Sequence, residues 1–548
     1  MSFLTSKATT ALAIAATILP ASAQLYNKVI NIESGPVQGF KYFNESTLES
    51  VWGTNNSNVA AFLGIPYAAD TSYQNRWKPP KPRQPWNETF KADSYGLPCP
   101  SSWVSEMSED CLSVNIWTGA NSSSDKLPVL VWNQGSDETS SNWDFSGGGL
   151  AMKGVIVVTF NRRDDAFGYL AHPELNAESL AENGHNSSGN YGVLDHKFLL
   201  EWVQKNIAHF GGDPDRVTIA GQSFGSSQVY HAVNSELFSG LFHGAISESG
   251  LRYPYDPILA GIATSYVTME DAIAFGQNYT RKHNVSSIAE LRTLSTEDLL
   301  QGSQDRNYNI WWVTALTCQY PLISKPVLDG YVLPEKYIDI LKSGPANDVP
   351  LITGNNKDES GASTSTNYTV AEYKNDCTLK YGNLSEEYFK LYPANNKTQA
   401  DMSWNAAARD TSVVSSWAFA NEWVKSASNP FYTYYWDHAP PGQSQGAYHE
   451  SEVGYIMNSL FNGVDLYPYT WYDWYLADVM SSYWANFVKT GNPNNGGSYK
   501  YDNLTYWAPN DGHSQTVFHV GQAFGNRSIA EPEQVNFIMD YFAQQTPY

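Results

Sequence analysis

The sequence predicts an α/β fold with a large, mostly parallel sheet covered by helices on both faces, and three observations carry that expectation. Leu127-Pro128-Val129-Leu130-Val131-Trp132 and Val155-Ile156-Val157-Val158-Thr159-Phe160 are continuous apolar runs rich in β-branched residues. A strand without a polar face belongs in a sheet buried on both sides. After the second run, Asp195–Ile207 carries apolar residues at helical spacing, so that strand, helix and strand follow one another as a crossover unit. The strand closing that unit, Val217-Thr218-Ile219-Ala220, ends in Gly221-Gln222-Ser223-Phe224-Gly225, and Ser226–Val233 can begin a helix.

Taken in order, Gly35–Phe40 and Ala60–Ala68 read as antiparallel strands joined by turns, and Arg76-Trp77-Lys78-Pro79-Pro80 opens a proline-rich loop. Leu112–Trp117 alternates with period two, the pattern of a half-buried strand. The helix from Asp195 should stop at Gly211-Gly212-Asp213-Pro214. Further strands are expected at Gly244–Ser247, Val349–Gly354 and Phe431–Tyr435, with helices between them. Pro257–Ser343 is mixed in pattern and reads as helical cap material. No internal repeat or low-complexity linker divides the chain, so residues 24–548 are expected to form one domain.

Residues 1–23 read as a signal peptide: Lys7 precedes the apolar run Ala11–Pro20, and Ala21-Ser22-Ala23 has the small-x-small form of a cleavage site. No later stretch offers eighteen consecutive apolar residues, so no membrane span is expected and the product should be secreted. Sequons at Asn44, Asn55, Asn87, Asn121, Asn186, Asn278, Asn284, Asn367, Asn383, Asn396, Asn503 and Asn526 suit a secreted glycoprotein. Four cysteines in an oxidising compartment allow three pairings. The short loop between Cys99 and Cys111 favours that bridge, leaving Cys318 with Cys377 by elimination, or as free buried thiols. Lys and Arg number 33 against 55 Asp and Glu, a formal net charge of −22, which argues against nucleic acid or an anionic membrane as partner. With 18 Trp, 36 Tyr and 23 Phe the chain could line an apolar gorge. Together, charge and aromatic content point to a neutral or cationic apolar small-molecule substrate.

The turn at Ser223 is where chemistry is expected. A serine hydroxyl is a poor nucleophile at neutral pH, so it must protrude from a sharp turn where a base can reach it and backbone N–H groups can receive an oxyanion. Gly221 and Gly225 suit that turn, because side chains there would collide as strand and helix close. By itself, a Gly-x-Ser-x-Gly run is equally well an ordinary glycine-rich turn.

Five further segments settle the context. Phe62–Ala68, Ser108–Asn115, Gly189–Asp195, Phe210–Pro214, and Trp484–Phe487 running into Thr490–Asn494 together resemble the type-B carboxylesterase/lipase family, the cholinesterase-like branch of the α/β-hydrolase fold. The resemblance extends from about Gly35 to Trp507 and implies a Ser-His-Glu triad. Its acid matches Glu359 in Asp358-Glu359-Ser360-Gly361, with Ser360 inserted and Asp358 the rival; its base matches His449 in Gly446-Ala447-Tyr448-His449. His231 and His243 fall in the wrong chain order, and His438 precedes the matching loop.

One segment departs from the family. Where it has His-Gly-Gly-Gly, this chain has Gln134-Gly135-Ser136-Asp137, so the resemblance places two oxyanion arms on the N–H groups of Ser136 and Asp137. The third arm falls on Phe224, which replaces an alanine, and Gln222 replaces a glutamate. A carboxylate on Asp137 would oppose a developing oxyanion. Gly147-Gly148-Gly149 resembles the missing run but lies too late in the chain.

The expected function is thus hydrolysis of a carboxylic ester through an acyl-enzyme. The alternatives are non-hydrolytic chemistry in the same pocket, or binding without catalysis. Neither metal-ligand spacing nor a dinucleotide or phosphate loop is present, so no cofactor is expected, and the sequence does not specify an oligomeric state.

Overall fold

Along each central strand, successive side chains fall alternately into two different cores. Val129, Val131, Ile156, Val158, Val217, Ile219, Ala245 and Leu351 enter one; Leu130, Trp132, Val155, Val157, Ala220, Ile246 and Ile352 enter the other. Period-two geometry thus turns an unbroken apolar run into two buried faces. The computed structural model describes residues 24–54, 57–136, 138–262, 265–307, 322–359, 369–501 and 503–548. Residues 1–23, expected above to be a signal peptide, and Asn55, Asp137, Cys318, Ser360, Gly361 and Asn367 lie outside them.

Eleven strands form the main sheet: β1 Phe40–Lys41, β2 Ala60–Pro66, β3 Ser113–Thr118, β4 Leu127–Asn133, β5 Ile156–Phe160, β6 Gly212–Gln222, β7 Gly244–Glu248, β8 Leu351–Asn356, β9 Phe431–Trp436, β10 Thr516–Val520 and β11 Gly525–Ser528. In space they run β11-β10-β9-β8-β7-β6-β4-β5-β3-β2-β1. From β5 to β10 every neighbouring pair is parallel, while β1, β2, β3 and β11 are antiparallel edges. Helices α1 (Tyr191–Asn206) and α2 (Phe224–Asn234) contribute Val193, Leu199, Val203, Val229 and Val233 to the first core. The same core takes Phe419 and Trp423 from the long helix Lys397–Ser426. Leu476, Met480, Trp484 and Phe487, from the helix Trp471–Thr490, close the opposite face.

Several expectations are modified. β3 is buried along its whole length despite its alternating sequence, because Asn115 is satisfied inside: its amide donates to Ser140 and Thr159, and its carbonyl accepts from Gly64 N–H. Gly212-Asp213-Pro214 does not end a helix but begins β6; the helix stops at Asn206, and a 3₁₀ turn capped by Gly211 (φ +84°) makes the join. The hairpin β10–β11 has no counterpart in the sequence pattern read above. The described part of Pro257–Ser343 is less than half helical: α-helices at Met269–Lys282, Ile288–Leu291, Thr296–Leu300 and Tyr337–Ser343 alternate with turns and a strand pair, Val267–Thr268 with Val327–Leu328.

Cys99 and Cys111 form a disulfide. Of the second pair, Cys377 is a free buried thiol packed with Tyr373, Tyr381 and Tyr388, the alternative kept open above to a bridge with Cys318, which lies outside the described residues. Every sequon asparagine among the described residues is exposed.

Candidate active site

β6 ends at Gln222, α2 begins at Phe224, and Ser223 between them has φ 56° and ψ −121°. That backbone conformation is strained for a residue with a side chain, a feature that gathers at functional sites. The sharpness of the turn explains its glycines. A Cβ on Gly225 would lie 2.0 Å from the Asn133 carbonyl oxygen, and one on Gly221 would lie 2.5 Å from the carbonyl carbon of Gly225. Ser223 N–H donates to the Glu248 carbonyl (3.0 Å), tying the turn to β7. Phe224 N–H opens α2 and so has no carbonyl within the helix to bond.

Glu359 follows β8 by three residues, and His449 lies in the loop beyond β9. They meet: His449 Nδ1 lies 2.5 Å from Glu359 Oε2, and Glu359 Oε1 accepts from Asn356 N–H at 2.8 Å. Asp358 does different work, accepting two hydrogen bonds from Arg409 (3.0 and 2.5 Å) and one from Ala447 N–H (2.9 Å), so it clamps the loop that carries His449. The His449 side chain is 34 % exposed and that of Glu359 15 %. Burial pulls the imidazole pKa down, but Glu359 first, then Glu450 and Glu452, carry it up to about 9. Burial likewise raises the Glu359 carboxyl, and the charge and hydrogen bond of His449 outweigh it, holding the group below its ordinary value. Gln222, the residue before Ser223, sets its amide nitrogen 3.3 and 3.2 Å from the two ring nitrogens of His449.

None of the competing histidines is placed this way. His231 is buried against the Tyr337 hydroxyl (2.7 Å), with burial pushing its pKa down to about 3. His438 pairs with Asp473 (2.8 Å), and His243 Nδ1 accepts from Val217 N–H (3.3 Å).

The departing loop, Gln134-Gly135-Ser136, leaves the end of β4 beside this turn. Glu138 folds back, its Oε2 accepting from Gly135 N–H at 2.6 Å. Burial, then Glu450 and Asp144, hold the Glu138 carboxyl well above the usual range, and burial puts that of Asp144 up to about 7. Gly147-Gly148-Gly149 packs elsewhere: added Cβ atoms would strike Val157, Tyr42 and the Asn458 carbonyl. These glycines serve close packing.

Beside the loop lies a cavity of about 150 Å³, bordered by Gln134, Ser136, Glu138, Arg162, Phe224 and Lys325. It abuts the turn without including Ser223 or His449. Arg162, Glu138 and Lys325 had not been singled out from the sequence. The signal was there: Arg162-Arg163-Asp164-Asp165 is a charged run directly after a buried parallel strand, at the strand end where such sheets place ligands. Arg163 is consumed structurally, pairing with buried Asp195 at 2.6 Å.

The model of the carboxylesterase family matches residues 26–538. The chain is 30% identical over 503 residues to a fumonisin B1 esterase of Sphingopyxis macrogoltabida, covering 88% of this chain and 86% of that protein. It is also 30% identical over 470 residues to the para-nitrobenzyl esterase of Bacillus subtilis (81% and 88%). Among solved structures, a PNB esterase superposes with a TM-score of 0.70 at 26% identity, covering 93% of this chain and 99% of that one.

Proposed function

Since the chain belongs to the carboxylesterase family and is a carboxylic ester hydrolase, we propose that it is secreted and works through an acyl-enzyme, with Ser223 as nucleophile, His449 as base and Glu359 orienting that base. The observation that carries this assignment is the 2.5 Å contact between His449 and Glu359, made where the ends of β6 and β8 also deliver the strained Ser223 turn. Glu359 accepts the Nδ1 proton, which leaves the basic lone pair on Nε2, where the Gln222 amide nitrogen lies 3.2 Å away and must yield to Ser223. That lone pair takes the Ser223 proton as Oγ attacks the ester carbonyl. The tetrahedral oxyanion is received by Phe224 N–H and Ser136 N–H; the remaining expected arm, Asp137, lies outside the described residues. On collapse the protonated imidazole returns its proton to the leaving alkoxide. Water, deprotonated by the same nitrogen, then attacks the acyl carbonyl; the acid departs and Ser223 is restored.

The non-catalytic alternative falls away with membership of this family of hydrolases. The test is a fluorophosphonate probe with mass spectrometry of the adduct. Label should sit on Ser223, and Ser223→Ala should lose both label and ester turnover while keeping the circular dichroism of the parent. Turnover by Ser223→Ala equal to the parent's would reject the nucleophile.

A further inference from the structure

The cavity beside the turn has charged as well as apolar walls. Its most buried polar group is the Arg162 guanidinium, whose side chain has no exposed surface. One edge of that group is committed: Nη2 donates to the Gln134 carbonyl at 3.0 Å, and Nε stands 3.2 Å from Asp164 Oδ1, close enough to attract but not aligned as a hydrogen bond. The guanidinium also lies over the Phe224 ring, 5.2 Å from its centroid. Nη1 has no hydrogen-bond partner among the described residues. A buried guanidinium nitrogen left unpaired is costly, and native structures seldom leave one so without a ligand to fill it.

A second cation shares the wall. Lys325 is 4 % exposed, and its ammonium donates to the Ile262 carbonyl and the Ser265 hydroxyl, both at 2.9 Å. An ammonium has three donors, so one remains over. From these two groups we infer a carboxylate-binding subsite: the ester that reaches Ser223 carries a second, ionised carboxyl group, which docks between Arg162 and Lys325. This deepens the ester-hydrolase proposal and rests on it, and it replaces the expectation of a neutral or cationic apolar substrate.

The acidic groups in the same wall do not forbid an anion. Asp164 is the ion-pair partner of Arg162, and Asp165 accepts from the Gln304 amide at 2.8 Å. The Glu138 carboxyl is held well above its ordinary value, chiefly by burial, and its Oε2 is engaged by Gly135 N–H. Burial also pulls Lys325 down to about 7, and an arriving carboxylate would restore its charge. Arg162 is suited to the role because its planar fork stays charged and matches carboxylate geometry. Its bond to Gln134 further couples an occupied subsite to the oxyanion loop.

The test compares two esters of equal chain length, mono-4-nitrophenyl adipate and 4-nitrophenyl hexanoate. The parent enzyme should prefer the acidic ester in kcat/KM by about tenfold or more, the worth of one charge-assisted hydrogen bond. Arg162→Met should bring that ratio to about one, Arg162→Lys should recover part of it, and Lys325→Met should lower it less than Arg162→Met does. A ratio cancels any general loss of activity in a variant. Should Arg162→Met fail to fold, Arg162→Lys and Lys325→Met carry the comparison. Equal preference in the parent, or a ratio unchanged in every folded variant, overturns the subsite. Calorimetric titration of adipate into Ser223→Ala separates this failure from that of the hydrolase proposal, because binding there needs no turnover.

Discussion

His449 lies against Glu359 with Glu450 and Glu452 close by, and their combined field exceeds the burial that would otherwise favour the neutral ring, so its pKa stands at about 9 against an ordinary 6.5. The sign follows directly. As a base the imidazole must be neutral, so kcat/KM for a neutral ester should rise with pH through the neutral range and level off on the alkaline side. A third of the side chain is exposed, so solvent screening will pull the measured midpoint below that value. Stability runs the other way: the ion pair's contribution is complete below pH 6.5 and is lost as pH rises through the folded pKa. Glu450→Gln removes one raising charge and should move the kcat/KM midpoint to lower pH; an unmoved midpoint would mean that Glu450 does not act on the base. The adjacent acids should separate by readout. Glu359→Gln should cost on the order of 10³–10⁴ in kcat, because the base loses its orienting partner. Asp358→Asn should instead cost about 1–3 kcal/mol of stability, because Asp358 clamps Arg409 and Ala447 N–H. Kinetics and denaturant midpoints on both variants decide, and a larger kcat loss in Asp358→Asn would exchange their roles.

Elements differ in how much of themselves they display in sequence. The parallel strands were legible because each is an unbroken apolar run, and the Ser223 turn because its glycines answer to backbone contacts that no Cβ could survive. β3 was misjudged as half-exposed, since period-two alternation marks a polar face but not whether that face meets water or, as at Asn115, buried partners. Counting thiols leaves Cys377 either bridged or free, and only the fold shows it free among tyrosines. Glu359 and His449 were reachable through chain order and local motif; Arg162 was not, because only the fold shows that it borders a cavity with a guanidinium nitrogen unpartnered among the described residues. The loop Gln134-Gly135-Ser136-Asp137 combines both lessons. Its sequence announces an altered oxyanion hole, and the structure adds a buried Glu138 carboxyl bonded to Gly135 N–H. Replacing Ser136 and Asp137 by glycine removes the carboxylate that the sequence leads one to expect opposite the oxyanion, and gives the backbone more freedom to aim its N–H groups. Hydrolysis of a small activated ester by Ser136→Gly/Asp137→Gly should therefore rise, by up to about 10²–10³ if a whole donor is regained. An unchanged rate would mean that other N–H groups already hold the oxyanion.

At the scale of the molecule, the sheet brings distant segments together: Ser223, Glu359 and the loop bearing His449 leave the ends of β6, β8 and β9, parallel strands within one row of neighbours. The neighbouring ends of β4 and β5 carry Gln134 and Arg162 of the cavity, so a buried guanidinium sits in a chain whose formal net charge is −22. These two fields act at different ranges. The net charge repels an anionic ester during approach, over distances that salt screens; the Debye length falls from about 30 Å at 0.01 M to about 10 Å at 0.1 M. The contact with Arg162 is made inside the protein, where screening is much weaker. Raising ionic strength from 10 to 150 mM should therefore increase kcat/KM for mono-4-nitrophenyl adipate, by roughly twofold or more, and leave 4-nitrophenyl hexanoate nearly unaffected. If the carboxylate instead bound at an exposed surface cation, salt would weaken the contact as it relieved the repulsion, and kcat/KM for the acidic ester would stay level or fall. Stopped-flow rates for the two esters across that range distinguish a buried acceptor from an exposed one.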